Sequence, residues 1–176
     1  MSCVKSRRLF LALWPDAATR ADLAGALARL TFPVGARPLV SADWHVTLAF
    51  LGTVPEVARA SIAARLADFP VLSAPLVLDA LSWWEDASVL VLEARHVPPA
   101  LVAAQAALCA GLVESGWRLD ARPWRPHVTI ARAVSSAPAL SGGVSCVWPI
   151  RRIALAESLP TVGPTRYALL VDHELI

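Results

Sequence analysis

The sequence predicts an α+β protein. Apolar runs of strand length outnumber the segments with helical spacing, and the two kinds of segment do not alternate regularly along the chain. The 176 residues are a usual length for one domain, and we expect a single domain over residues 1–176. Apolar residues make up 56% of the chain and charged residues 17%, which excludes an intrinsically disordered protein.

The first half of the chain contains two predicted strand–helix units. An apolar run over 8–14 ends at Pro15, and residues 16–30 carry leucines at helical spacing. Residues 31–40 are interrupted by proline and glycine and are predicted as a loop. A second strand is predicted over 44–51, and Thr53 and Glu56 match a capping box at the start of a second helix that reaches Phe69.

The second half of the chain is richer in predicted strands. Two β-prone runs, 76–84 and 87–94, are joined by Glu85 and Asp86 and predict an antiparallel hairpin. Pro98 and Pro99 begin a third helix that extends to about residue 116. A strand over 127–133, a loop over 135–145 and two last strands over 150–157 and 166–171 complete the prediction.

Composition excludes several classes of protein. The net charge of +2 is too small to indicate a nucleic-acid coat or a membrane-surface patch, so any RNA must be held locally. The longest mostly apolar stretch, 100–113, falls short of the roughly 20 residues that span a bilayer. The three cysteines form no CxxC pattern, and no export signal is visible. We therefore expect a monomeric cytoplasmic protein that does not associate with membranes.

The most informative feature is a short internal repeat. His45-Val-Thr-Leu-Ala49 and His127-Val-Thr-Ile-Ala131 agree at every position but one, and they contain two of the four histidines. Because side chains alternate along a strand, His45 and Thr47 share one face, as do His127 and Thr129. If the two strands lie side by side, two imidazoles and two hydroxyls line one groove.

These four side chains suit phosphodiester chemistry. Histidine titrates near neutral pH, so one ring can accept a proton from water while the other donates a proton to the departing oxygen. Threonine hydroxyls can bind the non-bridging phosphate oxygens as charge develops on them. The sequence therefore predicts His45 and His127 as the catalytic pair, with Thr47 and Thr129 as phosphate ligands.

The motifs allow three other interpretations. A histidine on a half-buried strand is commonly a structural residue, but that interpretation does not account for a matched pair with matched threonines. A zinc site is disfavoured because no HxH, HExxH or Cys/His cluster accompanies the histidines. A serine or cysteine nucleophile is disfavoured because neither a GxSxG elbow nor a neighbouring cysteine is present. We expect no metal and no cofactor.

The motifs resemble those of a known family. His45-Val-Thr-Leu-Ala-Phe-Leu-Gly52 is similar to the HxTLxFLG motif, and Pro126-His-Val-Thr-Ile-Ala-Arg132 to the PHxTxxR motif, of the RNA 2′,3′-cyclic phosphodiesterases, also called 2′-5′ RNA ligases, in the 2H phosphoesterase superfamily. The match covers nearly the whole chain and includes an opening strand at 8–13 and a closing hairpin at 153–167. The final residues 171–175 depart from the tryptophan-containing ending common in that family.

The resemblance implies a fold and a reaction. The fold is bilobal, with two pseudo-symmetric halves whose antiparallel sheets surround a V-shaped groove and whose helices lie outside. The reaction is metal-independent hydrolysis of an RNA or nucleoside 2′,3′-cyclic phosphate to the 2′-phosphate, with 2′-5′ ligation of RNA ends as a reverse activity. The resemblance also implies that His45 is the acid and His127 the base, although the repeat itself is nearly symmetric and leaves these roles open.

Four further residues are candidates for substrate contacts. Arg132 would lie at the end of the second motif strand, where its guanidinium could bind phosphate. Phe10, Trp44 and Tyr167 could stack on a nucleobase, although strand aromatics are more often core residues.

Two alternative functions remain open from the sequence. One is a related phosphodiesterase that acts on another cyclic or 2′-5′ linked phosphoester, because the catalytic core is the same. The other is a non-catalytic module that binds RNA ends, and the presence of two titratable rings argues against it.

Overall fold

The computed structural model describes residues 6–138, 143–160 and 165–175. Its strands are β1 (Ser6–Leu13), β2 (Arg37–Pro38), β3 (Val46–Pro55), β4 (Leu76–Leu78), β5 (Ala80–Trp84), β6 (Val89–Glu93), β7 (His127–Arg132), β8 (Cys146–Trp148), β9 (Arg152–Ser158) and β10 (Tyr167–Glu174). Its helices are α1 (Ala17–Leu27), α2 (Arg59–Ala67) and α3 (Pro99–Glu114), with short 3₁₀ turns over 41–43 and 56–58. The central part of the loop predicted over 135–145 lies outside the described residues.

The main sheet has the order β10-β9-β1-β3-β7-β6-β5, and β2 pairs with β7. Every pairing is antiparallel, and β4 and β8 form a separate two-stranded sheet. The two halves of the main sheet meet where Val46 of β3 pairs with Val128 of β7. Among the described residues this is the one pair that β3 and β7 share, so the sheet consists of two halves joined at a narrow junction, and the predicted α+β bilobal fold is confirmed. We call the face of the sheet opposite the helices the groove face.

The alternation of side chains along β1 separates two layers of the protein. Leu9, Leu11 and Leu13 are buried against the three helices in the main core. Phe10 and Trp14 point to the opposite face and form a second cluster with alanines of β9. This central strand is therefore apolar on both faces, as its continuous run of apolar residues indicates.

Local sequence signals account for two of the helix starts. Asp16 caps α1, because its carboxylate accepts a hydrogen bond from the backbone N–H of Thr19 at 2.8 Å; such a cap is worth about 1 kcal/mol. Pro98 is the N-cap of α3 and Pro99 is its first residue, where the missing N–H of proline costs no helical hydrogen bond. Both starts confirm the sequence prediction.

The predicted capping box is wrong. Thr53 lies inside β3 and pairs with Arg8 of β1, so the strand extends to Pro55. Glu56 forms ion pairs with Arg7 and Arg59, and α2 begins without a side-chain cap. Pairing with β1 has overridden the local signal for a helix start.

Two short strands were not predicted, and one predicted strand is divided. The run 76–84 breaks at Asp79, whose carboxylate accepts a hydrogen bond from the backbone N–H of Arg95 at 3.0 Å. The part before the break, β4, pairs with β8, and β2 pairs with β7. These strands are two or three residues long and are defined by distant partners, so no local periodicity could indicate them. The hairpin of β5 and β6 is confirmed.

No helix among residues 6–138, 143–160 and 165–175 is long and apolar enough to cross a bilayer.

Candidate active site

His45 and His127 lie beside the junction of the two half-sheets. His45 immediately precedes β3 and His127 is the first residue of β7, so each comes one position before the paired valines. The valines point into the main core, and the two rings therefore point to the groove face. Burial is the main cause that lowers the pKa of His45, and the positive charge of His127 lowers it further. The structure brings the two predicted catalytic residues together.

The same hydrogen bond orients both imidazoles. Nδ1 of His45 lies 2.7 Å from the carbonyl oxygen of Asp43, and Nδ1 of His127 lies 2.7 Å from that of Arg125. Because a carbonyl only accepts, Nδ1 carries the proton in each ring. Nε2 is thereby left to exchange protons with a substrate.

Aromatic side chains enclose His45. The Trp14 ring is stacked on the imidazole with centroids 5.2 Å apart and planes 4° apart. The Phe10 ring centroid lies 4.9 Å from that of the imidazole, and the Tyr167 ring is nearly perpendicular to the imidazole with the centroids 4.7 Å apart. Burial lowers the pKa of His45 from 6.5 to about 4, and the carbonyl of Asp43 offsets this only in part. The free protein therefore holds this ring neutral at neutral pH.

His127 has a more polar environment. Its ring lies 4.5 Å from that of Trp84, over which the Arg125 guanidinium is placed at 4.7 Å. Glu93 is its partner across the β6–β7 ladder and forms an ion pair with Arg125 at 2.7 Å. Burial lowers the pKa of His127, whereas the carbonyl of Arg125 and the charge of Glu93 act to raise it.

Thr47 and Thr129 follow the histidines by two residues on the same strands and are half-buried. Thr47 pairs with Ala12 of β1, whose side chain belongs to the groove-side cluster, and Thr129 pairs with Val91 of β6. Both therefore share the groove face with the histidines, as the strand period predicts. The Trp124 indole N–H donates to the carbonyl of Thr47 at 2.8 Å and fixes the proline-broken segment before β7 to β3.

Arg132 connects the two halves of the main sheet. It ends β7, and its guanidinium donates to the Tyr167 hydroxyl on β10 at 3.4 Å. Its Nε is buried and has no hydrogen-bond partner among the described residues. Burial is the main cause that lowers the pKa of His45 and of His127, and the positive charge of Arg132 lowers both slightly further. One guanidinium near two imidazoles makes the site suited to an anion such as phosphate.

The candidate stacking residues have different positions. Trp44 is only 7% exposed and lies in the main core, so its prediction as a base-stacking residue is wrong. Phe10 is 2% exposed beneath His45 and Tyr167, so it supports these rings and presents no face to a base. Tyr167 is half-buried at the groove and stays a candidate.

Sequence reasoning missed the contacts of Trp14 and Trp84 with the histidines. Trp14 follows Ala12 by two positions and Phe10 by four, so the alternation of side chains along β1 predicts that Trp14 lies on the groove face. Adjacent Trp83 and Trp84 must face opposite sides of β5; Trp83 donates to the carbonyl of Val134 and Trp84 contacts His127. The adjacent tryptophans indicate that one of the two rings faces the groove, but they do not indicate which residue that ring contacts.

No group of three or more histidine, cysteine or acidic side chains with metal-binding geometry occurs in the part of the chain that the structure describes.

Comparison with known proteins agrees with this geometry. The family model of the 2′-5′ RNA ligase superfamily matches residues 38–155, which include both histidine motifs. The chain belongs to this superfamily. It is 30% identical over 168 residues to the RNA 2′,3′-cyclic phosphodiesterase of Escherichia coli strain K12, and the match covers 93% of this chain and 94% of that protein.

Solved structures share the fold of this chain. The crystal structure of E. coli LigT complexed with 3′-AMP matches with a TM-score of 0.82 and 27% identity, over 97% of this chain and 99% of that chain. The crystal structure of TT0787 from Thermus thermophilus matches with a TM-score of 0.69 and 28% identity, over 96% of this chain and 97% of that chain.

Proposed function

We propose that this protein hydrolyses the 2′,3′-cyclic phosphate at the end of RNA, or of a nucleotide, to a 2′-phosphomonoester. The observation that carries the proposal is the histidine pair, with both Nδ1 atoms fixed by backbone carbonyls and Arg132 beside the two rings. The superfamily membership and the similarity to a protein named RNA 2′,3′-cyclic phosphodiesterase support the substrate class.

In the proposed reaction, Nε2 of His127 takes a proton from water, and the water oxygen attacks phosphorus. The bond from phosphorus to O3′ breaks, and protonated His45 donates its Nε2 proton to O3′. The products are a 2′-phosphate and a 3′-hydroxyl, and proton exchange with solvent restores both rings. Arg132, Thr47 and Thr129 would bind the non-bridging oxygens as their negative charge increases.

A 5′-hydroxyl in place of water gives the ligation activity. Attack of that hydroxyl on the cyclic phosphate, with the same departure of O3′, joins two RNA ends through a 2′-5′ linkage. Water at its solvent concentration competes with the hydroxyl, so we expect hydrolysis to be the main reaction.

The proposal requires neither a metal nor a second subunit, because one chain supplies the whole site. Cys109 and Cys146 are free thiols, which suits the reducing cytoplasm.

The test uses 2′,3′-cyclic AMP in EDTA, followed by phosphorus NMR. We expect conversion to the 2′-phosphate, and a reduction in turnover of roughly 10²–10⁴-fold in each of His45→Ala and His127→Ala, the usual scale for loss of a general acid or base. His96→Ala is the matched control, because this histidine is exposed and lies outside both motifs. A 3′-phosphate product, activity that requires added zinc or manganese, or full activity in either variant would contradict the proposal.

A further inference from the structure

An exposed aromatic ring lies on the same face of the sheet as the catalytic groove. Phe50, on β3, is 43% exposed, whereas Phe10, its partner on β1, is 2% exposed. Paired residues on adjacent strands share a face, so Phe50 is the direct neighbour of Phe10. Phe10 in turn contacts the His45 ring at 4.9 Å. Only the side chain of Phe10 therefore separates the exposed Phe50 ring from the His45 ring.

A guanidinium cation lies over this ring. The guanidinium carbon of Arg8 is 5.5 Å from the centroid of Phe50. Arg8 precedes Phe10 by two residues on β1 and therefore points to the same face. Its neighbour Arg7 points to the other face and forms ion pairs with Glu56 and Glu157, whereas Arg8 forms no ion pair among the described residues.

An aromatic ring and a guanidinium together match the base and the phosphate of a nucleotide. Bases stack on exposed aromatic rings with little dependence on sequence, and arginine binds backbone phosphate. Phe50 is three residues beyond Thr47 along β3, roughly 10 Å at the rise of an extended strand. This distance suits a nucleotide adjacent to the one that carries the reacting phosphate.

We propose that Arg8 and Phe50 form a binding subsite for the nucleotide on the 5′ side of the terminal one. The inference rests on the proposed function, because a 2′,3′-cyclic phosphate closes the 3′ end and RNA continues only in the 5′ direction. The base of the penultimate nucleotide stacks on Phe50. Arg8 contacts a backbone phosphate, either the one that links the penultimate nucleotide to the terminal nucleotide or the next phosphate on the 5′ side. The protein therefore distinguishes an RNA end from a free cyclic mononucleotide.

The test compares 2′,3′-cyclic AMP with a triadenylate that ends in a 2′,3′-cyclic phosphate. We expect Phe50→Thr, which keeps a β-prone residue, to lower kcat/KM for the triadenylate about fivefold or more, the lower limit for loss of one stacked base. We expect Arg8→Gln to lower it as well and to make it less dependent on salt concentration. Hydrolysis of the mononucleotide should be unchanged in both variants, and it also reports that they are folded.

Val147→Thr and Arg59→Gln are the matched controls. Val147 is a 52% exposed strand residue in the separate two-stranded sheet, and Arg59 begins α2, on the helical side of the main sheet. Neither control should alter the ratio of the two kcat/KM values. The proposal would be overturned if Phe50→Thr lowered kcat/KM equally for the triadenylate and the mononucleotide. It would also be overturned if neither Phe50→Thr nor Arg8→Gln altered the ratio of the two kcat/KM values.

A binding measurement separates this proposal from the proposed function. Fluorescence anisotropy of a labelled triadenylate with a terminal 2′-phosphate reports the subsite without catalysis. Weaker binding in Phe50→Thr and Arg8→Gln than in the controls would support the subsite even if the wild-type protein hydrolysed neither substrate. Unchanged binding in both variants would reject the subsite even if hydrolysis occurred as proposed.

Discussion

The two proposed catalytic histidines, His45 and His127, have the same backbone hydrogen bond but different surroundings. Burial among aromatic rings makes protonated His45 a strong acid, whereas the Glu93 carboxylate stabilises a positive charge on His127. These environments suit His45 as the proton donor and His127 as the base, the roles that the family resemblance implies. The two motifs are nearly identical in sequence, so they could not distinguish the roles of the two histidines. The two rings differ only in the side chains that other elements place around them.

A leaving group of low basicity tests these roles. Such a group at the 3′ position needs little protonation, so it should restore much of the activity of His45→Ala and little of that of His127→Ala. The ratio of kcat values for the activated and natural substrates is the measurement. Rescue of His127→Ala instead would show that the two roles are reversed.

The pH dependence follows from the lowered pKa of both rings. The proposed mechanism requires one ring protonated and the other neutral, so kcat/KM should follow a bell whose limbs report the apparent pKa values of the pair in the free protein. With the pKa of His45 at about 4 and that of His127 below 6.5, we expect the maximum between these values. A bound phosphate anion stabilises the protonated rings, and the kcat profile should therefore lie at higher pH. Identical pH profiles for kcat and kcat/KM, or a kcat/KM maximum above pH 7, would contradict this account.

At the scale of elements, the 3₁₀ turn before β3 connects the site to the last hairpin. Asp43 in this turn is 2% exposed, and its carboxylate accepts from the backbone N–H of Arg166, 3.0 Å from each oxygen. Its backbone carbonyl accepts a hydrogen bond from the Nδ1–H group of His45. Burial raises the pKa of the Asp43 carboxyl, while the backbone N–H groups of Arg166 and Tyr167 oppose the shift. One residue thus fixes both the tautomer of His45 and the entry of β10, which carries Tyr167.

Asp43→Ala should lower kcat by about tenfold or more with a smaller change in KM. The variant leaves buried N–H groups without an acceptor, which costs about 1–3 kcal/mol each and allows β10 to shift away from His45. Asp43→Asn keeps one acceptor oxygen and should retain most of the activity. Steady-state kinetics of the two variants decide the point: equal damage in both would indicate that the charge, and not the hydrogen bond, is required.

At the scale of the whole molecule, the buried histidine makes stability depend on pH. The pKa of His45 is about 4 in the folded chain and near 6.5 when the chain is unfolded, so the unfolded state takes up the proton first as the pH falls. The free energy of unfolding should therefore decrease from about pH 6.5 to about pH 4. His127 contributes in the same direction, because its pKa is also lowered.

His45→Gln should remove part of this dependence. Its free energy of unfolding should decrease less steeply between pH 6.5 and 4 than that of the wild type, as measured by urea unfolding with fluorescence of the seven tryptophans. Parallel curves for the two proteins would show that protonation of His45 is not linked to folding.

The sequence by itself determined what short-range physics controls. The α+β class, the hairpin of β5 and β6, the starts of α1 and α3, and the common groove face of His45 and Thr47 follow from strand and helix periods and from local capping. The repeated histidine motif also indicated the chemistry, because two matched titratable groups have few structural roles. The tertiary structure decided everything that depends on a distant partner. Thr53 lies in a strand because β3 pairs with β1, and tertiary packing places Trp44 in the core and Trp14 against His45. The strand period determines which face a residue lies on, but it does not determine which side chains of other elements pack against that face.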